Sequence, residues 1–136
     1  MRISLRRSAV VGTTMLLAIG LSACSSGPST ADACASTDKA LSSLTQDMQT
    51  VMMSAASNPD DTKAATAKVV DKFTALQKKV ENEDVKKALD PMAAAYKTLN
   101  TEVAASTDGV SVMNAMEKFL TADKASGAEY SKVCAS

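Results

Sequence analysis

The chain has 136 residues and carries 15 basic against 15 acidic side chains, with no histidine, no tryptophan and three cysteines. A neutral chain offers no electrostatic basis for binding nucleic acid. Lack of histidine also removes the usual general base and the commonest metal ligand.

The first segment is a basic head followed by an apolar run. Arg2, Arg6 and Arg7 precede an apolar stretch from Ala9 to Leu21, thirteen residues long. That is shorter than the roughly 18–20 residues a membrane span needs, and it has the proportions of the hydrophobic region of an export signal. Arg6-Arg7 leaves a twin-arginine export route open. The run closes on Leu21-Ser22-Ala23-Cys24. This tetrapeptide resembles the lipobox of bacterial lipoproteins. The resemblance implies cleavage before Cys24, a diacylglycerol thioether on its sulfur with further acylation such as palmitate, and attachment to the extracytoplasmic face of a cell membrane. The division predicted from this is a signal peptide over 1–23, an anchor and tether over 24–31, and one folded domain over 32–136.

Removal of the signal takes all three arginines and leaves 12 lysines against 15 acids, a net charge of −3. Without arginine, the mature chain has no planar fork for paired recognition of phosphate or carboxylate. The tether Ser25 to Ala31 spans at most about 25 Å at ~3.3–3.6 Å per residue, which keeps the domain close to the membrane.

From Ala31 onward the chain is rich in Ala, Lys, Glu, Leu and Met and shows apolar stripes at three-and-four spacing, the mark of amphipathic helices. The first stripe is Cys34, Leu41, Leu44, Met48, Val51 and Ala55. The second is Thr66, Val69, Phe73, Leu76 and Val80. Val85, Leu89, Met92, Tyr96, Leu99 and Val103 form the third, and Met113, Met116, Leu120, Gly127, Tyr130 and Cys134 the fourth. Period-two alternation is absent, so no sheet is expected. Asn58-Pro59-Asp60-Asp61 and Ser106-Thr107-Asp108-Gly109 supply capping groups, a first-turn proline and acids that complement a helix dipole. The middle break falls either at Asn82-Glu83-Asp84, with Pro91 inside the third helix, or at Asp90-Pro91. The first gives four helices of similar length and is preferred.

With Cys24 taken by lipid, Cys34 and Cys134 are the remaining thiols, and an extracytoplasmic compartment permits a disulfide. A bond needs Cα atoms within about 7 Å, while a 25-residue helix is roughly 37 Å long. Four up-and-down helices return the two cysteines to one end. The expected fold is therefore an all-α, up-down-up-down four-helix bundle closed by Cys34–Cys134. The anchor and the 82–84 turn then share the membrane end. Asn58, Asp60, Asp61 and Asp108 lie at the far end, as the surface offered to a partner if one docks end-on.

Other chemistry is thin. Met48 and Met52, and Met113 and Met116, sit one turn apart and suggest a Cu(I) or small-ligand carrier as an alternative, against methionine as ordinary core filling. The acids at Asp60-Asp61 and Glu81, Glu83 and Asp84 lack EF-hand spacing. Ser36-Thr37-Asp38-Lys39 reads as helix surface. The expectation is a non-catalytic envelope protein, without cofactor or nucleic-acid partner, held by its lipid anchor and working through contacts with another envelope protein.

Overall fold

In the computed structural model, residues 27–55 and 58–135 are described. Four helices account for nearly all of them: α1 Thr30–Ser54, α2 Pro59–Lys79, α3 Glu83–Ala105 and α4 Gly109–Cys134. No strand occurs among the described residues.

Each helix begins where a side chain can satisfy its free amides. Asn58 accepts from the Asp61 amide at 3.3 Å, with Pro59 at the first helical position and Asp60 and Asp61 in the first turn. Asn82 accepts from the amides of Asp84 and Val85, both at 3.2 Å. Asp108 accepts from the Ser111 amide at 2.8 Å. The break therefore falls at 80–82, and α3 runs on through Pro91, whose ring sits on the exposed side. One start differs from expectation. Ser29 accepts from the Asp32 amide at 3.1 Å while its hydroxyl donates to the Asp32 carboxylate at 2.7 Å. This reciprocal cap, in a Ser-x-x-Asp spacing, draws Thr30 and Ala31 into α1 and shortens the tether placed at 24–31.

Ion pairs and polar bonds fix the direction of each helix. Lys72 holds Asp47 at 2.6 Å across α1 and α2, and Gln77 donates to Asp90 at 2.7 Å across α2 and α3. Lys118 pairs with Glu102 at 3.0 Å across α3 and α4. The intervening turns, three or four residues long, are too short to carry the chain back along the preceding helix, so consecutive helices are antiparallel. Cys34 and Cys134 are bonded with Cα atoms 5.5 Å apart, which brings the start of α1 to the end of α4. The Asn82 amide group donates to Pro28 O at 3.3 Å and Thr30 Oγ1 at 3.4 Å, so the α2–α3 turn lies at that same end. The fold is an up-down-up-down four-helix bundle closed by one disulfide.

The core is organised around three aromatic rings. Phe73 of α2 stacks on Tyr96 of α3 with centroids 4.5 Å apart, and Tyr96 meets the edge of Phe119 of α4 at 4.9 Å. Burial pushes the Tyr96 phenol up to about 12, with the nearby Asp123 carboxylate adding to the effect. Leu89, Leu99, Val85, Val103 and Val112 fill the layers around the rings. No described helix is long and apolar enough to cross a membrane.

The α4 stripe departs from expectation. Val112, Ala115, Met116, Phe119, Ser126 and Tyr130 are buried, whereas Met113 is 49% and Leu120 45% exposed. Met113, Leu120, Gly127 and Cys134 are spaced by sevens. A straight helix drifts ~20° per heptad against such a repeat. Over the three heptads separating Met113 from Cys134, that carries Met113 about 60° away from the direction of the disulfide, out to the flank of the bundle.

Candidate functional site

Cys24 lies outside the described residues. Pro28 and Thr30, just beyond it in sequence, are pinned to Asn82 at the disulfide end of the bundle. That end carries a second tie between α1 and α4. The Tyr130 hydroxyl donates to the Asp38 carboxylate at 2.9 Å, with the Cys34 carbonyl oxygen at 3.4 Å. Burial raises the Tyr130 phenol, and its bond to Asp38 raises it further. The segment read from sequence as plain helix surface, Ser36 to Lys39, is therefore partly structural. Thr37 is fully buried, and Asp38 is the acceptor that steers Tyr130.

The opposite end assembles the residues predicted to face a partner, and it uses them as caps. Asn58 and Asp61 bond each other reciprocally, Asp60 lies 3.6 Å from Lys63, and Asp108 closes the first turn of α4. The Ser111 amide bonded to Asp108 holds its carboxyl below the usual range. These acids are exposed, so their negative charge is presented outward beside two helix starts.

Apolar side chains that were not anticipated stand at the same end. Met53, in the last turn of α1, is 76% exposed, and Val110, in the first turn of α4, is 72% exposed. With Met113 and Leu120 they are the large apolar residues given to solvent among those described. All four belong to α1 and α4, the helices joined by the disulfide.

The exposed face of α1 is also nearly free of charge. From Ala40 to Ser54 its one charged residue is Asp47, which is turned to α2 and held by Lys72. Ser42, Ser43, Thr45, Gln46, Gln49, Thr50 and Met53 are its exposed residues. Two of those hydroxyls are spent on the helix itself, Thr45 on Leu41 O at 3.0 Å and Thr50 on Gln46 O at 3.2 Å. A solvated helix face of this length would normally carry several lysines or acids, as α2 and α3 do. The face thus carries hydroxyl and amide side chains with one exposed methionine, Met53. The signal was present in the sequence as the run from Ala40 to Ser54, with Asp47 its one charged residue.

α1 and α4 also approach each other least among the adjacent helix pairs, and α3 and α4 the most. The row Asp38, Thr45, Gln49 and Met52 follows helical spacing from the disulfide along the side of α1 turned to α4. Thr45 and Gln49 within it are exposed. The two helices are thus tied at one end and loosely joined beyond it.

The methionines do not share one environment. Met48 and Met116 are buried in the core, Met52 is packed against it, and Met113 is half exposed. No group of three or more His, Cys, Asp or Glu placed to hold a metal ion occurs among the described residues. Surface clefts of about 310 Å³ and 340 Å³ lie between α1 and α2, floored by Leu44 and Leu76, and between α3 and α4, floored by Leu99 and Phe119. The chain matches no protein-family model, no curated protein and no solved structure.

Proposed function

We propose that this chain is a lipid-anchored extracytoplasmic protein of the bacterial lipoprotein type, acting without catalysis as an interaction module of the cell envelope. Cleavage before Cys24 leaves a diacylglycerol-bearing N-terminus, and a tether of a few residues seats the bundle on the membrane through its disulfide end. The observation that carries the reading is the Cys34–Cys134 bond, with its Cα separation of 5.5 Å. It uses both thiols that lipidation leaves, it belongs to an oxidising compartment, and it sits at the end where the chain arrives from Cys24. The uncharged α1 face with Met53, Val110 and Met113 beside it supports contact with protein rather than with a charged surface. The composition adds to this, since a chain without histidine and, once processed, without arginine is poorly equipped for acid–base or phosphoryl chemistry.

Intact mass analysis of the protein extracted from membranes tests it. The expected species begins at Cys24, carries the mass of a thioether-linked diacylglycerol, and lacks two hydrogens for the disulfide. The Cys24→Ser variant is expected to leave the membrane fraction. A wild-type chain retaining residues 1–23, soluble inside the cell with reduced cysteines, contradicts the proposal.

A further inference from the structure

We infer that the cleft between α1 and α2 binds a single acyl chain that ends in a carboxylate. The cleft measures about 310 Å³, with Leu44 and Leu76 as its floor and Ala40 and Ala75 on its sides. That volume is at the small end of the range for ligand pockets, enough for one chain of medium length and not for a two-chain lipid. Two lysines, Lys72 and Lys79, stand among its lining residues, and no carboxylate does.

Charge gives the occupant its direction. Lys72 is already neutralised by Asp47 at 2.6 Å, so that mouth of the cleft carries no net charge. Seven residues toward the disulfide end from this pair, about 10 Å along each helix, lie Ala40 on α1 and Lys79 on α2, level with each other. Lys79 makes no ion pair among the described residues. Lys39, beside Ala40 and one turn from Ser43 in the cleft wall, is exposed and likewise unpaired among them. Its neighbours at three and four residues are Ala35, Ser36, Ser42 and Ser43, so no acid on its own face screens it. Asp38, next to it, is bound to Tyr130 of α4. Two free ammonium groups, one from each helix, therefore flank one mouth while the other is neutral. A chain lying over Leu44 and Leu76 places its carboxylate between Lys39 and Lys79, whose stems lie against its first methylenes.

A second cleft provides the contrast. The one between α3 and α4 has a similar volume, about 340 Å³, and an apolar floor of Leu99 and Phe119. Its charged residues, Glu102 and Lys118, neutralise each other at 3.0 Å. Apolar surface alone would fill both clefts, whereas the free lysines select the first.

Photolabelling tests the inference, with decanoic acid carrying a diazirine on its tail added to extracts of cells that express the full chain. The label is expected on α1 and α2, near Leu44 and Leu76. Excess unlabelled decanoic acid should displace it, and decanol should not. Lys39→Gln with Lys79→Gln should cut labelling about tenfold, while Lys39→Arg with Lys79→Arg should keep most of it. Ala75→Trp fills the cleft, leaves both lysines in place and should also cut labelling. All three positions are exposed, so melting temperatures should hold. Lys97→Gln with Lys124→Gln should change nothing. Absence of label, equal label in the α3–α4 cleft, equal displacement by decanol, or wild-type labelling of the glutamine pair at 39 and 79 overturns the inference. None of these readouts involves Cys24, so failure here and failure of the anchoring proposal are distinguishable.

Discussion

Helix α4 has two neighbours and treats them differently. Against α3 it packs along its length. Ala94 and Ala95 on one side and Ala115 and Ala122 on the other line the seam, where small side chains let the backbones come close, and Tyr96 and Phe119 interlock within it. Against α1 it is tied by one covalent bond and one phenol, both near the end where α1 starts and α4 finishes. Beyond them Met113 and Leu120 are open to solvent. Packing spread along a helix does not depend on any one bond, whereas a seam clamped at one end depends on its clamp.

Removing the clamp should have the largest effect. Cys34→Ser with Cys134→Ser opens a closed loop with a sequence separation of 100. The chain-entropy model puts its loss at about 4–5 kcal/mol, read as the shift in a urea unfolding midpoint. Phe73→Ala, which strikes the aromatic triad, should cost about 3–5 kcal/mol, and it should do so equally in the oxidised and cysteine-free proteins. Strong coupling between the two changes would mean that the seams are not independent.

Tyr130→Phe removes the second tie and should cost on the order of 1 kcal/mol, because Asp38 is left facing solvent rather than stranded. The smallest expected effect is electrostatic. Burial raises the Asp123 carboxyl above the usual aspartate range. A raised folded value means that the group's contribution is most favourable below the unfolded value and is lost as pH rises through the folded one. Asp123→Asn should therefore melt slightly higher than wild type at pH 7, with the gap closing as the solution is acidified. A wider gap in acid would reverse the assignment.

Much of this fold could be read in advance, and the gaps have a common origin. Asn58, Asn82 and Asp108 announce three helices because a cap is a local event between residues two or three apart. The pairs α1–α2, α2–α3 and α3–α4 follow from the short turns that join them. The α1–α4 closure has no turn, and its one sequence signal is the pair of cysteines. That signal specifies a point of contact and not how far the contact extends. Hence the fourth stripe, read at three-and-four spacing, placed Met113 and Leu120 on the core face, whereas both are open to solvent. The start of α1 was missed for another reason, since Ser29 and Asp32 form a recognisable cap inside a segment read by composition as tether. Among the candidate site residues, the disulfide was legible, the caps were recognised in kind, and Met53 and Val110 passed unnoticed because exposure depends on where the neighbouring helix lies.

Amide hydrogen exchange on the cysteine-free chain, resolved helix by helix, tests the central claim that the tie between α1 and α4 is concentrated where α1 starts and α4 ends. The account predicts that amides of α1 lose protection through a partial opening while those of α2, α3 and α4 keep theirs. Uniform loss of protection across all four helices would show α1 packed as firmly as the rest and would contradict it.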